Sequence, residues 1–144
     1  MQRLLCALVV AATMVGVARA DDLKDMEGTW LVTIHEVSGK KLGDEQIKKS
    51  ESTIIIKDGK YQNVFMGKTI SEGTLKLDST KKPKTMDALV AEGPGKGKSM
   101  LGVFELNGDS MTVCFAQVDK ERPTGLKTDE GSGQVLLKYK REKK

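Results

Sequence analysis

The sequence predicts an all-β fold, an antiparallel barrel of about eight strands with one short helix after the first. Three observations carry this reading. Short runs rich in Val, Ile, Thr and aromatic residues recur from about residue 28 to residue 139. The turn-forming pairs Asp58-Gly59 and Asn107-Gly108 stand between such runs. Beyond residue 20, no segment keeps a 3.6-residue apolar period over about 12 positions, as an amphipathic helix would.

The elements follow in order. Trp30, Val32 and Ile34 alternate with Leu31, Thr33 and His35, a first strand that ends near Val37 at Ser38-Gly39. Alternation puts Trp30, Val32 and Ile34 on the core face and His35 outward. Residues 42–49 form the short helix, with Asp44 placed to cap it, acids in its first turn and lysines in its last. Strands follow at residues 53–57 and 61–66, with a turn at Gly67-Lys68 and another strand at 70–77. Gly73 inside that strand marks a bulge or a bend at a barrel corner. Loops at residues 78–84 and 92–98 bracket a strand at 86–90. Strands at 100–106, 111–117 and 135–139 complete the set, with an irregular stretch at 119–133. Nearly all the connections are too short for a parallel crossover, so the strands form an antiparallel meander, closed as a barrel or folded as a sandwich, and closure into a barrel is favoured because it removes the edges.

The chain has 144 residues and a net charge of +4, room for one ordinary domain. Gln2 and Arg3 lead an apolar run over residues 4–17, then Ala18-Arg19-Ala20 and two aspartates. That layout reads as a secretory signal peptide cleaved after Ala20, and the run is short of the roughly 20 residues a membrane-spanning helix needs. The expected organisation is residues 1–20 as signal peptide and 21–144 as the barrel domain, exported to a periplasmic or extracellular space. Arg3 and Arg19 leave with the peptide and no acid does, so 22 of the 24 basic residues face 20 acidic ones, a net +2 over 124 residues. Near-balanced charge and sparse aromatics (1 Trp, 2 Tyr, 3 Phe) argue against nucleic-acid binding. Cys6 leaves as well, which leaves Cys114 as the single cysteine of the mature chain. An internal disulfide is then impossible, and Cys114, in a β-prone apolar run, reads as a buried small hydrophobe.

Two sets of residues carry a family resemblance. Gly28-Thr29-Trp30, preceded by Leu23 and Met26 and answered by Arg141 near the end, is similar to the lipocalin pattern. That likeness implies that the arginine packs across the indole and plugs one end of the barrel, a contact of about 0.5–2 kcal/mol. The strings Lys81-Lys82-Pro83-Lys84-Thr85-Met86-Asp87, Gly102-Val103-Phe104-Glu105-Leu106-Asn107-Gly108-Asp109, Cys114-Phe115-Ala116 and Glu121-Arg122-Pro123-Thr124 resemble a small exported lipocalin-like domain family. That family is abundant in planctomycete bacteria and uncharacterised in function. The likeness runs from about residue 23 to residue 141. The chain has Val103-Phe104 where the family has Ile-Tyr, and Gly125-Leu126 where an acid and Phe are common.

No catalytic constellation stands out. His35, the single histidine, is expected to be solvated. A pairing with Cys114 would need a meeting in space that nothing in the sequence indicates. One His and one mature Cys cannot furnish a structural zinc site, calcium on Asp78 or Asp109 has no supporting pattern, and the glycine-rich residues 93–98 lack the strand and helix of a phosphate loop. No cofactor is expected. Asp87 interrupts an apolar strand. Either it turns inward and pairs with Arg122 or Lys84, locking the loop that crosses the barrel, or it faces water while Met86, Ala88 and Val90 face in. Val103, Phe104, Leu106, Val113, Phe115, Leu137 and Tyr139 are the candidate lining of a ligand cavity or of a packed core. Gly28, Trp30, Arg141, Asp87 and Arg122 are the candidate structural residues. The functional expectation is an exported, non-enzymatic binding domain holding a small apolar ligand. The alternative is a structural or protein-interaction module of the cell envelope. No membrane span is expected, and the sequence names no protein partner.

Overall fold

A computed structural model describes residues 21–143, so the signal peptide expected at residues 1–20 lies outside the described residues. The chain runs α1 (Asp21–Asp25), β1 (Gly28–Val37), β2 (Lys40–Lys41), α2 (Asp44–Ser50), β3 (Thr53–Lys57), β4 (Lys60–Phe65), β5 (Lys68–Asp78), β6 (Lys84–Glu92), β7 (Ser99–Asn107), β8 (Ser110–Phe115) and β9 (Val135–Arg141). From β3 to β9 each strand pairs antiparallel with the next, and β1 pairs with both β3 and β9. The result is a closed, antiparallel, eight-stranded barrel, in which every barrel strand is hydrogen-bonded on both sides. The two-residue β2 folds back on the outer end of β1 and is not a barrel strand.

Local chemistry explains the connections. Asp58 and Gly59 take φ of 52° and 74°, the pair of left-handed residues that a two-residue hairpin needs. The next hairpin turns at Met66-Gly67, one residue before the expected Gly67-Lys68, because Phe65 pairs with Lys68. The β7–β8 hairpin turns one residue late, at Gly108-Asp109, because Asn107 pairs with Ser110. Helix α2 is capped by Gly43 and not by Asp44, and Gln46 Oε1 accepts from the Gly43 N–H at 3.2 Å. Asp44 and Glu45 then stand in the first turn and Lys48 and Lys49 in the last, each suited to the helix dipole. At Gly73 the β5–β6 register shifts. A side chain there would run into the Leu89 carbonyl and the Tyr61 ring, so the bend needs glycine.

In two places the expected side-chain directions are reversed. The β1–β9 register shifts between Val32 and Ile34, which leaves Thr33 as a bulge. Beyond it the alternation flips. Ile34 lies opposite Lys138, and His35 lies opposite Leu137, a residue of the barrel interior. His35 is therefore on the inner face and half-buried, not outward. The second reversal concerns Val103. Phe104 belongs to the interior cluster with Trp30, Met86, Met111, Val113 and Tyr139. Its neighbour Val103 points the other way, into a separate outer cluster with Cys114 and Leu136 beneath Leu126. Adjacent strand residues cannot share a face, so Val103 lines no interior cavity.

Candidate functional site

One end of the barrel is plugged by residues of α1, the start of β1 and the end of β9. Trp30 and Met26 are both fully buried there. The indole Nε1–H donates to the Met26 carbonyl at 2.8 Å, so the tryptophan enters the core with its polar atom satisfied. Arg141 lies over the indole, its Cζ 4.2 Å from the ring centroid. Its guanidinium also donates to the carbonyls of Glu27 and Asp25 and, through Nε at 3.1 Å, to Asp109. Gly28, at φ 133°, lets the chain pass beneath this group, since a Cβ there would come within 3.0 Å of Arg141 Nη1. Asp22 reinforces this end by accepting from Ser79 and from Lys84 Nζ.

Above the plug lies a cavity of about 90 Å³. Of the residues picked out as a candidate lining, Val113, Phe115, Leu137 and Tyr139 border it. Phe104 and Leu106 pack in the interior around it without reaching it, and Val103 is on the other side of the sheet. The remaining wall comes from Ile54, Ile56, Tyr61, Asn63, Leu75, Met86, Ala88, Met100 and Met111. The candidate lining left out β3 and β4 although both were expected as strands; in β3, Ile54, Ile55 and Ile56 are apolar in a row, which hides the period of two. The pairing of Ile54 with Trp30 settles which of them face in. The wall carries no Lys, Arg, Asp or Glu, and its polar members are Tyr61, Tyr139 and Asn63. Burial pushes both phenols above their ordinary range, Tyr139 further than Tyr61. Asn63 Nδ2 donates to Ser71 Oγ at 2.9 Å. A wider hollow of about 710 Å³ beside Glu27, Lys57, Arg141 and Lys143 is open surface outside the barrel.

On the outer face, the long connection at residues 116–134 forms a strap. Arg122 holds it by donating to the carbonyls of Gly102 (2.8 Å) and Met86 (3.3 Å) and to Asp87 Oδ1 (2.6 Å). Asp87 points outward while Met86, Ala88 and Val90 are buried on the opposite face. It nonetheless has a partner, Arg122, whereas Lys84 pairs with Asp22. The two possibilities for Asp87 thus combine: an outward carboxylate, half-buried because the strap covers it. Further on, Thr128 donates to Glu36 and accepts from the Gly39 N–H, and Lys98 pairs with Asp119 at 2.6 Å.

The groups that nucleophilic or metal chemistry would need are kept apart. Cys114 is fully buried under the strap on the outer face, and His35 is on the inner face. Desolvation pushes the Cys114 thiol up, partly offset by hydrogen bonding from the Lys127 backbone, and the thiol donates to the Lys127 carbonyl at 3.5 Å. Among the described residues, no group of three or more His, Cys, Asp or Glu is gathered to hold a metal ion, and no helix is long and apolar enough to cross a membrane. Asp78 is engaged by Thr80, which holds its carboxyl below the usual range, and Asp109 by Arg141.

Comparison with protein-family models, with curated proteins and with solved structures returns no match.

Proposed function

We propose that this chain is an exported, non-enzymatic binding domain of the small lipocalin-like family, whose barrel holds a small apolar ligand. The observation that carries the reading is the cavity bordered by Val113, Phe115, Leu137 and Tyr139 among others, an apolar space inside the barrel. At about 90 Å³ it equals the share of liquid volume of about three waters and falls below the roughly 300 Å³ of an ordinary ligand pocket. The ligand is therefore small. Met86, Met100 and Met111 form part of the wall, and their unbranched side chains can swing to enlarge it. Export rests on the charge, apolar run and Ala18-Arg19-Ala20 of the first 20 residues, and family membership on the Gly28-Thr29-Trp30 opening with Arg141 and the four strings of the chain's second half.

Native mass spectrometry of the mature protein, purified from its own source, tests both parts. A mass that begins at Asp21 and carries an adduct lost on denaturation is the expected result. A bare protein mass under both conditions removes the carrier reading. One observation favours the alternative of an envelope interaction module: the β4–β5 hairpin tip exposes Phe65, Met66 and Ile70 by 41%, 62% and 53%. A bare mass would direct attention to that tip.

A further inference from the structure

Tyr61 and Tyr139 are only 4% and 5% exposed, and both border the cavity. The other large polar aromatic of the core, Trp30, spends its N–H on Met26. Neither phenol has a hydrogen-bond partner among the described residues, yet no side-chain oxygen or nitrogen there is sealed off without one. Both oxygens therefore keep some accessible surface, and the space that the two residues share is the cavity. A phenol can be brought into a core as phenylalanine would be, so a hydroxyl kept there unpaired is costly unless something else meets it. The wall also lacks any charged side chain, and a carboxylate or ammonium entering it would find no counter-charge.

We infer that the cavity takes a small uncharged molecule bearing one oxygen group (an alcohol, phenol, aldehyde or ketone), which hydrogen-bonds Tyr139 with Tyr61 as the second polar contact while its carbon frame lies against Met86, Met100 and Met111. This inference deepens the carrier reading and rests on it. The burial that raises the Tyr139 phenol keeps it protonated, and hence a donor, across the physiological range.

Phenol, benzene and benzoate are the probes, titrated into the full mature protein and followed by the NMR shifts of the methionine methyls. Phenol and benzene share a shape and differ by the one hydroxyl. Phenol is expected to bind about tenfold tighter than benzene, with benzoate weaker than both. Tyr139→Phe is expected to abolish the phenol preference without lowering the melting temperature, because the removed hydroxyl holds no protein group and its burial is a cost. Tyr61→Phe is expected to reduce the preference by a smaller factor. Equal binding of phenol and benzene to the wild-type protein overturns the inference and leaves the carrier reading standing. So does a phenol preference that survives Tyr139→Phe, or benzoate binding as tightly as phenol. Failure of all three probes and of xenon to shift any methionine methyl overturns both the inference and the carrier reading.

Discussion

At the end of the barrel where the chain enters and leaves, Arg141 uses every face of its guanidinium: two backbone carbonyls, one carboxylate and the Trp30 ring. One layer further in, Tyr139 is almost as buried as Trp30 but borders the cavity, and its hydroxyl has no partner among the described residues. The two residues are close neighbours in the barrel, each directly across from β1, Arg141 beside Trp30 and Tyr139 beside Val32. The plug spends its polar groups on the protein itself and thereby secures the fold. The layer above withholds them, which costs stability and is what a binding site requires.

Substitutions at the two levels should therefore behave differently. The largest effect is expected from Trp30→Ala, which empties a fully buried indole site and strands the Met26 carbonyl; urea unfolding should show a loss of about 3–5 kcal/mol. A loss under 1 kcal/mol would mean that the plug is not what closes the barrel. Next is Arg141→Met, which keeps the stem over the ring but deletes the forked donors, with an expected cost of about 2 kcal/mol. Arg141→Lys should recover only part of it, because one ammonium cannot reach three acceptors in a plane. If lysine restores the wild-type value, the interaction is a bare charge effect.

The strap offers a weaker contrast on the outer face. Asp87→Ala should cost about 1 kcal/mol, because the pair is half-exposed and Arg122 keeps its bonds to Gly102 and Met86. A double-mutant cycle with Arg122→Ala isolates the coupling, and a value of zero would leave Arg122 holding the strap through the Gly102 and Met86 carbonyls alone. The smallest effect belongs to His35. Burial holds its imidazole below the ordinary 6.5, so the unfolded chain takes the proton first. Its contribution to stability is complete above pH 6.5, falls as the pH drops towards the lower folded value, and should vanish in His35→Asn. A pH profile identical in the variant would return His35 to the solvated outer face that simple alternation assigns to it.

Much of the architecture was legible because it is local. Strand runs, the Asp58-Gly59 hairpin, the bend at Gly73 and the helix before β3 each need only a few neighbouring residues to be recognised. The failures share a cause as well. Two hairpins turn one residue away from their apparent signals because cross-strand pairs, Phe65 with Lys68 and Asn107 with Ser110, choose the register. His35 changes face because one extra residue, Thr33, is inserted opposite β9. Val103 and Phe104 look alike as a pair of apolar neighbours, and only the strap, by laying Leu126 over Val103 and Cys114, gives the outer one a core of its own.

The sequence by itself determined the all-β class and the antiparallel order of the strands, and its resemblance to the lipocalin pattern implied the pairing of a Gly-x-Trp opening with a late arginine at one end. Backbone propensity and short connections are enough for the first two. Only the tertiary structure decided which side of each strand is the inside, that Asp87 is covered from without, and that about 90 Å³ remains unfilled beside two unpaired phenols. A bulge of one residue inverts every side chain beyond it, and a cavity is the small difference between the space a barrel encloses and the side chains that fill it. Neither quantity exists until strands distant in sequence have met in one register.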